Sequence, residues 1–309
     1  MKQFKILVDV NSDLSYELRK RFDIDYLKAH ITIPGGIERD GVLDWDFTNE
    51  VDFYTSLKKR SKEYSTAPAS PEEYAKAFEE LVTQGYDVLS ISISKALSGT
   101  YDFACMGRDI VLEKYKDAKI ICVDSKKYSN GFGLLAIMAS IKRSEGLAIE
   151  EVAAWLEENR YRVHQMGWLD DLSFVAAKGR ISHPKAFFGQ LIGVKPLADF
   201  DPNGLVTVLG KAKGEKNAFK AILEYMKKTI ENPQDQIILM AETNRKEKTL
   251  EFKKMIEEEF HPKEIIVNTV YPSCGINVGP GLMAAYYFGT KASTDLKEET
   301  KLLEEILNA

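Results

Sequence analysis

Short apolar runs alternate with amphipathic stretches along the first half of the chain. Three of these runs are rich in branched residues, as buried strands are, and each precedes a stretch whose apolar residues recur with helical spacing. The predicted pairs of strand and helix are FKILVDV with LSYELRKRF, YDVLSISIS with YDFACMGRDIVLEKY, and AKIICVDS with GFGLLAIMASIKRS. Such alternation predicts βαβ units on a parallel sheet, and AIEEVAAWLEENRYRV adds one more helix.

The pattern changes after residue 164. Large apolar residues fill the stretch 172–200, which Gly179, Pro184 and Gly193 interrupt. An apolar helix is predicted after the Gly-Pro-Gly at 279–281 and a charged amphipathic helix at 293–309. The remaining predicted strands are GLVTVLGKAK, QIILMAE and EIIVNTV, and the helices between them are EKNAFKAILEYMKKTIE and RKEKTLEFKKMIEEEF.

These patterns predict an α/β protein of two domains. The first is an N-terminal parallel-sheet α/β domain at 1–164, and the second is a C-terminal α+β domain at 165–309. A length of 309 residues also favours two cores over one. In open parallel sheets, ligands bind beyond the carboxyl ends of the strands, so the polar turns at 9–13, 94–100 and 124–131 are the first places to look for function.

Composition excludes several classes of function. With 44% apolar and 29% charged residues the chain is an ordinary globular protein, and its net charge of -5 without a basic stripe argues against a nucleic-acid partner. No apolar stretch is long enough to span a membrane, and MKQFKILVDV is typical of a strand and not of a signal peptide. Three widely spaced cysteines fit a reducing compartment. We therefore expect a cytoplasmic protein.

Neither a metal nor a nucleotide cofactor is expected. The four histidines have no ligand-like spacing with one another or with the cysteines. The chain lacks a phosphate-binding loop of the form Gly-x-x-x-x-Gly-Lys-Ser/Thr, and Gly131 and Gly133 occur without the third glycine of a dinucleotide-binding turn.

The turn Ser98-Gly99-Thr100 joins a predicted strand to a predicted helix and allows three interpretations. Ser98 can be the N-cap of the helix. The hydroxyl and the free amide groups of Gly99 and Thr100 can instead hold a carboxylate or phosphate at the positive end of the helix. Ser98 can also be a nucleophile, although the segment is not a Gly-x-Ser-x-Gly elbow. The sequence does not decide between the first two.

Other polar and glycine-rich positions carry local structural signals. Ser70 is predicted as an N-cap, with Pro71 and Glu73 following it in a capping box. Ser65 and Thr66 lie just before it with no such structural role. Gly179 is predicted to terminate a helix. The glycines at 279 and 281 would let a ligand approach the backbone closely.

Taken together, these segments resemble the DegV family of bacterial lipid-binding proteins. The resemblance spans residues 8–281 in family order, through VDVNSDL, STAPASPEEY, ISKALSGTY, VDSKKYSNGFGLLA, AKGRIS, VKPLADFDPNG, GKAKGEKNA and GINVGPG. It implies a two-domain fold that encloses one long-chain fatty acid between the domains. Some members are carrier subunits of fatty acid kinase and present the carboxylate to a separate kinase.

The resemblance also implies a set of site residues. Hydroxyls matching Ser65 and Ser98 hold the carboxylate, and a histidine before the Gly-Pro-Gly completes the site, a position occupied here by Asn277. Asn277 can donate a hydrogen bond but cannot carry charge. The arginine of the Gly-Arg-Ile motif is Arg180, whereas a second arginine of the family is replaced by Lys213, which lacks the planar fork of a guanidinium group.

The resulting hypothesis is a non-catalytic protein that binds a long-chain fatty acid. The predicted head-group residues are Ser65, Thr66, Ser98, Gly99, Thr100, Asn277 and Gly279. A positive rim near Arg180 and Lys213 is predicted to meet the kinase or the phosphate. The predicted acyl tunnel is lined by Leu172, Phe174, Phe187, Phe188, Leu191 and Ile192, each of which is also typical of a plain core. The alternatives are a hydrolase or acyl transferase that uses Ser98, and a carrier for another apolar acid or lipid.

Overall fold

The computed structural model describes residues 3–182 and 193–309. These residues divide into two compact units. The first unit comprises Met1–Asp46, Lys62–Arg160 and Tyr271–Ser273, and the second comprises Phe47–Ser61, Tyr161–Val270 and Cys274–Ala309. The main division after residue 160 lies close to the predicted boundary after residue 164. Two short segments are exceptions: 47–61 belongs to the second unit, and 271–273 belongs to the first.

The helices and strands have the following bounds. The strands are β1 (Phe4–Asp9), β2 (Ile24–Leu27), β3 (Ala29–Ile33), β4 (Ile37–Gly41), β5 (Ser65–Ala67), β6 (Asp87–Ser92), β7 (Ile120–Asp124), β8 (Val163–Leu169), β9 (Val194–Phe200), β10 (Val206–Lys213), β11 (Ile237–Glu242), β12 (Glu264–Thr269) and β13 (Leu282–Phe288). The helices are α1 (Tyr16–Phe22), α2 (Glu50–Arg60), α3 (Pro71–Thr83), α4 (Thr100–Lys114), α5 (Ser129–Ser144), α6 (Ile149–Asn159), α7 (Ser173–Ala177), α8 (Glu215–Thr229), α9 (Lys246–Phe260), α10 (Pro272–Val278) and α11 (Lys297–Asn308).

The first unit is built on a four-stranded parallel sheet in the order β2-β1-β6-β7. Every residue of β6 is buried, as expected for a central parallel strand that is covered on both faces. Tyr74 and Phe78 of α3 pack with Ala104 and Val111 of α4 in the core beside the sheet. The predicted βαβ units are therefore confirmed.

A second, three-stranded antiparallel sheet in the first unit was not predicted. Its order is β4-β3-β5. β4 is mostly exposed and polar, and β5 has only three residues, so neither has the alternating apolar pattern that indicates a strand.

The second unit contains a six-stranded mixed sheet in the order β10-β9-β8-β13-β11-β12. Only β11 and β12 run parallel, and the other neighbouring strands are antiparallel. Trp168, Phe219 and Phe252 lie in the core that α8 and α9 form with this sheet. The parallel-sheet unit and this second unit of sheet and helices together confirm the predicted fold class.

The apolar helix predicted after the Gly-Pro-Gly is wrong, because this segment forms strand β13. β13 pairs with β11 on one side and β8 on the other, and its first six residues are all buried. A strand that is apolar on both faces has no alternating pattern, so it cannot be distinguished from a buried helix by periodicity. The wholly buried β8 also went unpredicted, because His164, Gln165 and Gly167 interrupt its apolar residues.

Two local signals in the sequence are confirmed. Ser70 is the N-cap of α3, where its hydroxyl accepts from the amide of Glu73 and the Glu73 carboxylate accepts from the amide of Ser70. Gly179 follows the end of α7 with a φ of 70°. Its amide donates to the Ala176 carbonyl and that of Arg180 to the Val175 carbonyl, which is the Schellman arrangement.

A buried histidine and a buried aspartate join neighbouring strands of the second unit. His164 Nδ1 lies 2.7 Å from Asp199 Oδ2 and His164 Nε2 lies 2.8 Å from the Thr290 carbonyl oxygen. The side chains of His164 and Asp199 are each only 1% exposed. Each ring nitrogen thus faces an oxygen that can accept a hydrogen bond. Asp199 Oδ1 accepts from the amide of Gln165 at 2.8 Å, so the pair is also tied to the backbone.

Substitution of His164 by alanine should lower the free energy of unfolding by about 3–5 kcal/mol, because the buried Asp199 carboxyl group would lose its side-chain partner. The matched control is His30→Ala, which removes the exposed pair of His30 with Glu73, whose side chains are 47% and 44% exposed. That change should cost less than about 1 kcal/mol. Urea unfolding at pH 7 measures the free energy of unfolding of both variants and of the unaltered protein. Equal losses in the two variants would contradict a special role for the buried pair.

A buried carboxyl group, that of Glu242 at the end of β11, lies in the second unit near the half-buried Glu50 at the start of α2. Burial raises the pKa of Glu242 to about 7, the charge of Glu50 adds to this, and the amide of Arg245 opposes it. Glu50 Oε1 accepts from the amide of Asn244 at 2.8 Å. Glu50 therefore ties α2 to the loop after β11.

Glu242 should make stability depend on pH. Its folded pKa of about 7 exceeds its ordinary value of 4.5, so its contribution is complete below pH 4.5 and is lost as the pH rises through 7. Glu242→Gln should remove this loss, because an amide can donate to Glu50 and accept from the Arg245 amide at any pH. The variant should exceed the unaltered protein in unfolding free energy by about 1–3 kcal/mol at pH 8.

Urea unfolding from pH 4.5 to pH 8 measures the difference. Glu251→Gln is the control, since Glu251 lies on the surface of α9 and is exposed. If Glu242→Gln and the unaltered protein lost stability equally with rising pH, the titration of Glu242 would not be the cause of that loss.

Candidate functional site

The carboxyl ends of three neighbouring parallel strands in the first unit bring three loops together. β1, β6 and β7 are adjacent in the sheet and end at Asp9, Ser92 and Asp124. Their loops meet at one edge, as expected from the sequence.

Asp9 fixes the loop that follows β6. Its Oδ2 accepts from the Ile93 amide at 2.8 Å, and its Oδ1 accepts from the Asn11 amide at 2.9 Å and from Asn11 Nδ2 at 2.7 Å. Burial raises the pKa of Asp9 to about 6, and the hydrogen bonds from Ile93 and Asn11 oppose this rise. One carboxylate thus holds two loops in register.

Asp124 does the same for the next pair of loops. Its Oδ1 accepts from the Lys95 amide at 3.2 Å and from the Lys126 amide at 3.0 Å. The Ser94 amide also donates to the Lys127 carbonyl, at 2.9 Å. The segment that leads to Ser98 is therefore positioned by the loop after β7.

Ser98 and Thr100 are brought into direct contact at the start of α4. Their hydroxyl oxygens lie 2.7 Å apart, and the Thr100 amide donates to Ser98 Oγ at 3.3 Å. Gly99, not Ser98, is the N-cap, and no side chain of the described residues caps this helix. The interpretation of Ser98 as the N-cap is therefore wrong, because its oxygen contacts the first helical residue and not the second or third.

This arrangement has the chemistry of an anion site. Thr100 is only 2% exposed, whereas Ser98 is half-buried and Gly99 is exposed. If the buried Thr100 hydroxyl donates to Ser98 Oγ, the Ser98 proton is available to an acceptor outside. The amide groups of the first turn and the helix dipole favour a negative acceptor at the same place.

Ser65 and Thr66 lie in the same unit, in strand β5 of the three-stranded sheet. Ser65 pairs with Thr32 and is exposed, and Thr66 pairs with Ile31 and is half-buried. Their position on a sheet edge explains why no capping signal accompanies them.

Asn277 and Gly279 belong to the second unit. Asn277 is half-buried near the end of α10. The Gly279 amide donates to the Gly275 carbonyl at 2.8 Å, and Gly279 has a φ of 79°. A Cβ at Gly279 would lie 2.5 Å from the ring of Phe174, so the ring rests directly on the glycine backbone. This close approach is one reason for a glycine at 279, and the predicted contact of Gly279 with a head group stays a prediction.

The structure does not bring Arg180 and Lys213 together. The Arg180 carbonyl accepts from the amide of Val206, which is the first residue of β10. Lys213 is the last residue of the same strand. The length of this strand separates the two backbones by roughly 20 Å. The guanidinium group of Arg180 is half-buried and donates to the Lys178 carbonyl. A rim that uses both cations therefore cannot be one compact cluster.

The second unit contains a cavity of about 600 Å³. Leu172 and Phe174, two of the residues predicted for the acyl tunnel, line it together with the charged residues Asp170, Lys195 and Arg245. Lys195 Nζ lies 2.6 Å from Asp170 Oδ1, and Arg245 also pairs with Asp170. Asp170 thus pairs with two of the cations that line this cavity, and Lys58, Lys59 and Asp171 are further charged residues of the lining.

The remaining tunnel candidates lie outside the described residues. They are Phe187, Phe188, Leu191 and Ile192. The acyl tunnel as a whole stays a prediction.

Sequence reasoning missed the contacts that hold these sites. Asp9 and Asp124 were noted only as parts of polar turns, and the ion pairs of Asp170 were not foreseen. The available signal was weak: an acidic residue at the last position of a buried strand, which recurs at Asp9, Asp124 and Glu242.

Within residues 3–182 and 193–309, no three His, Cys, Asp or Glu side chains converge as metal ligands would. No helix in those ranges combines the length and the apolar content needed to cross a membrane.

Comparisons with known proteins agree on one family. A family model described as an uncharacterised protein of the DegV family matches residues 3–290. A DegV domain-containing protein of Clostridium perfringens is 32% identical over 289 residues, which cover 94% of this chain and 98% of that protein.

Solved structures share the fold. A DegV family protein from Thermus thermophilus, described as fatty-acid binding, has a TM-score of 0.82 and 24% identity, with 94% of this chain and 100% of that chain covered. The fatty acid kinase B3 protein of Streptococcus pneumoniae, solved with linoleic acid, has a TM-score of 0.78 and 19% identity over 93% of this chain and 99% of that one. With the family match over nearly the whole length, these likenesses establish that the chain belongs to the DegV family.

Proposed function

We propose that this protein binds a long-chain fatty acid and that the Ser98 turn holds its carboxylate. The observation that carries the proposal is the contact of the Ser98 and Thr100 hydroxyls at a helix start without a side-chain cap among the described residues. A carboxylate accepts only, so it matches a site that offers a hydroxyl proton and backbone amides. The fatty acids bound by two proteins of the same fold support this choice of anion.

The energetics assign different roles to the two ends of the ligand. Each buried methylene contributes about 0.8 kcal/mol, so a dozen contribute of order 10 kcal/mol before the cost of association. A charge-assisted hydrogen bond at the head adds only about 1.5–3 kcal/mol. The tail therefore supplies affinity, and the Ser98 turn selects an acid and orients it. Leu172 and Phe174 remain the described candidates for contact with the tail.

Catalysis by Ser98 has less support than binding. Among the described residues, the hydrogen-bond partners of Ser98 Oγ are the hydroxyl and the amide of Thr100. Neither is a general base, and a serine nucleophile needs one.

Extraction of the purified, full-length protein followed by mass spectrometry tests the ligand class. We expect a long-chain fatty acid in near-equal amount to the protein. The outcome that overturns the proposal is a different co-purified lipid, or an empty protein that also fails to bind a fluorescent fatty acid in titration.

Ser98→Ala should raise the dissociation constant for a fluorescent fatty acid about tenfold, since about 1.4 kcal/mol of head-group interaction is lost while the tail contacts remain. Ser70→Ala is the matched control, because Ser70 also precedes a helix but acts as its cap. It should cost about 1 kcal/mol of stability without changing the dissociation constant. Equal affinities of Ser98→Ala and the unaltered protein would remove Ser98 from the head-group site.

Presentation of the bound acid to a separate fatty acid kinase is the second part of the proposal. The likeness to the pneumococcal kinase-associated protein supports it, but Asn277 cannot supply the charge or proton of a histidine. The protein should therefore bind a fatty acid well and support slow phosphorylation.

Asn277→His should then increase acyl phosphate formation at least about tenfold, because a positioned acid or base is restored. The assay uses a fatty acid kinase from the same organism with ATP, and the dissociation constant for the fatty acid serves as the control. Equal rates for both proteins would show that position 277 needs no charge, and no acyl phosphate with either would exclude the kinase partnership.

A further inference from the structure

The cavity of the second unit lies beside the carboxyl end of a parallel strand. β11 and β12 run parallel, with α9 between them in the chain, and Thr243, Asn244 and Arg245, which line the cavity, follow directly after β11. Ligands of such strand–helix–strand units bind beyond the carboxyl end of the strand. The volume of about 600 Å³ also falls within the range of small-molecule sites, about 300–1,000 Å³. Position and size are therefore those of a ligand site.

Two cations in the wall of this cavity are largely buried. The side chains of Lys195 and Arg245 are only 14% and 18% exposed. Both pair with Asp170, and both pair with Glu215, which lies 3.6 Å from Lys195 Nζ and 3.1 Å from Arg245 Nη1. These two carboxylates balance the two cations and fix their positions. Because an ammonium group has three donors and a guanidinium group has five, the pairs leave N–H groups for a further acceptor.

Lys58 and Lys59 of α2 add positive charge to the same lining. Both are exposed, and neither pairs with a carboxylate among the residues that the structure describes. Asp171 is the one other carboxylate among the described lining residues, and its Oδ1 accepts from the Ser173 amide at 2.8 Å. Once Asp170 and Glu215 are set against Lys195 and Arg245, two lysines face one carboxylate. The cavity therefore favours an anion over a neutral or cationic ligand.

Part of the lining is apolar. The apolar residues are Leu172, Phe174, Val194, Pro196 and Pro280. An inorganic ion would leave their surface in contact with water, whereas an organic anion can cover it. A phosphate ester suits the charged part of the lining, because it carries a charge of about −1.5 to −2 at neutral pH and three strong acceptor oxygens. It can therefore bind several cations at once.

We propose that this cavity is a second ligand site, which binds a small organic phosphate through Lys58, Lys59, Lys195 and Arg245. The cavity lies within the second unit, whereas the Ser98 turn belongs to the first, so this site does not depend on the proposed carboxylate site. Leu172 and Phe174 are also the described candidates for contact with a fatty acid tail. Competition between the two ligands is therefore part of the test.

Titration of the full-length protein with 4-methylumbelliferyl phosphate, a fluorescent ester with a planar ring, tests the site. We expect this ester to bind at least about tenfold more tightly than 7-methoxy-4-methylcoumarin, which has the same ring without the phosphate charge. Oleic acid should bind without displacing the ester.

Lys58→Gln/Lys59→Gln should raise the dissociation constant of the ester about tenfold, since two charged donors are lost. The double variant should fold as the unaltered protein does, because both lysines are exposed and unpaired among the described residues. The matched control is Lys253→Gln/Lys254→Gln, which removes two neighbouring charges of α9 outside the cavity. It should leave the dissociation constant of the ester unchanged.

Three results would overturn the proposal. The first is equal affinity of the ester for Lys58→Gln/Lys59→Gln and for the unaltered protein, or equal affinity of the unaltered protein for the ester and the neutral coumarin. The second is displacement of the ester by an equal concentration of inorganic phosphate, which would exclude a role for the organic part. The third is displacement of the ester by oleic acid, which would assign the cavity to the acyl tunnel.

Discussion

The arrangement of the first unit depends on the need of backbone amides at the ends of parallel strands for acceptors. Where β1, β6 and β7 end, their amides lose the partners that the sheet supplied, and the loops cannot be buried without replacements. Carboxylates meet this need because each oxygen accepts more than one hydrogen bond. Asp9 and Asp124 each bind amides of two different loops, so the position of the Ser98 turn follows from them.

Burial of carboxyl groups has different consequences at different places. Asp199 has an imidazole ring and backbone amides as hydrogen-bond partners, so both of its oxygens are satisfied. Glu242 accepts from the amide of Arg245 but lies near the carboxyl group of Glu50, and Asp9 accepts from backbone amides. The pKa of each of these two groups is raised mainly by burial, because desolvation opposes the charged form.

Local signals were predictable and contacts between distant residues were not. The capping box at Ser70 and the helix end at Gly179 depend on residues within a few positions of one another. The βαβ units were predictable because their apolar runs have the lengths that are typical of strands and helices. β13 was mistaken for a helix because its apolar residues face both sides of the sheet. The location of Ser98 at a helix start was predictable, but its contact with Thr100 and the role of Gly99 depend on the exact residue at which α4 begins.

The same limit applies to the pairs that carry the chemistry. His164 and Asp199 meet through the fold, as do Lys195 and Asp170, and no periodicity in the sequence marks either pair. The family resemblance supplied candidate head-group positions such as Ser65 and Asn277, yet it gave no information on the carboxylates that fix the loops around them.

Helix α2 is translated long before the residues against which it packs. Its residues are translated early, but Tyr54 donates to the carbonyl of Val270 at 2.6 Å, 216 positions later, and its ring packs on Gly275. At a ribosomal rate of about 5–20 residues per second, the buried face of Phe53, Tyr54 and Leu57 waits roughly 10–40 s for its partners. During that interval the nascent chain exposes two aromatic rings, so its protection by a chaperone would matter most while residues 61–270 are being synthesised.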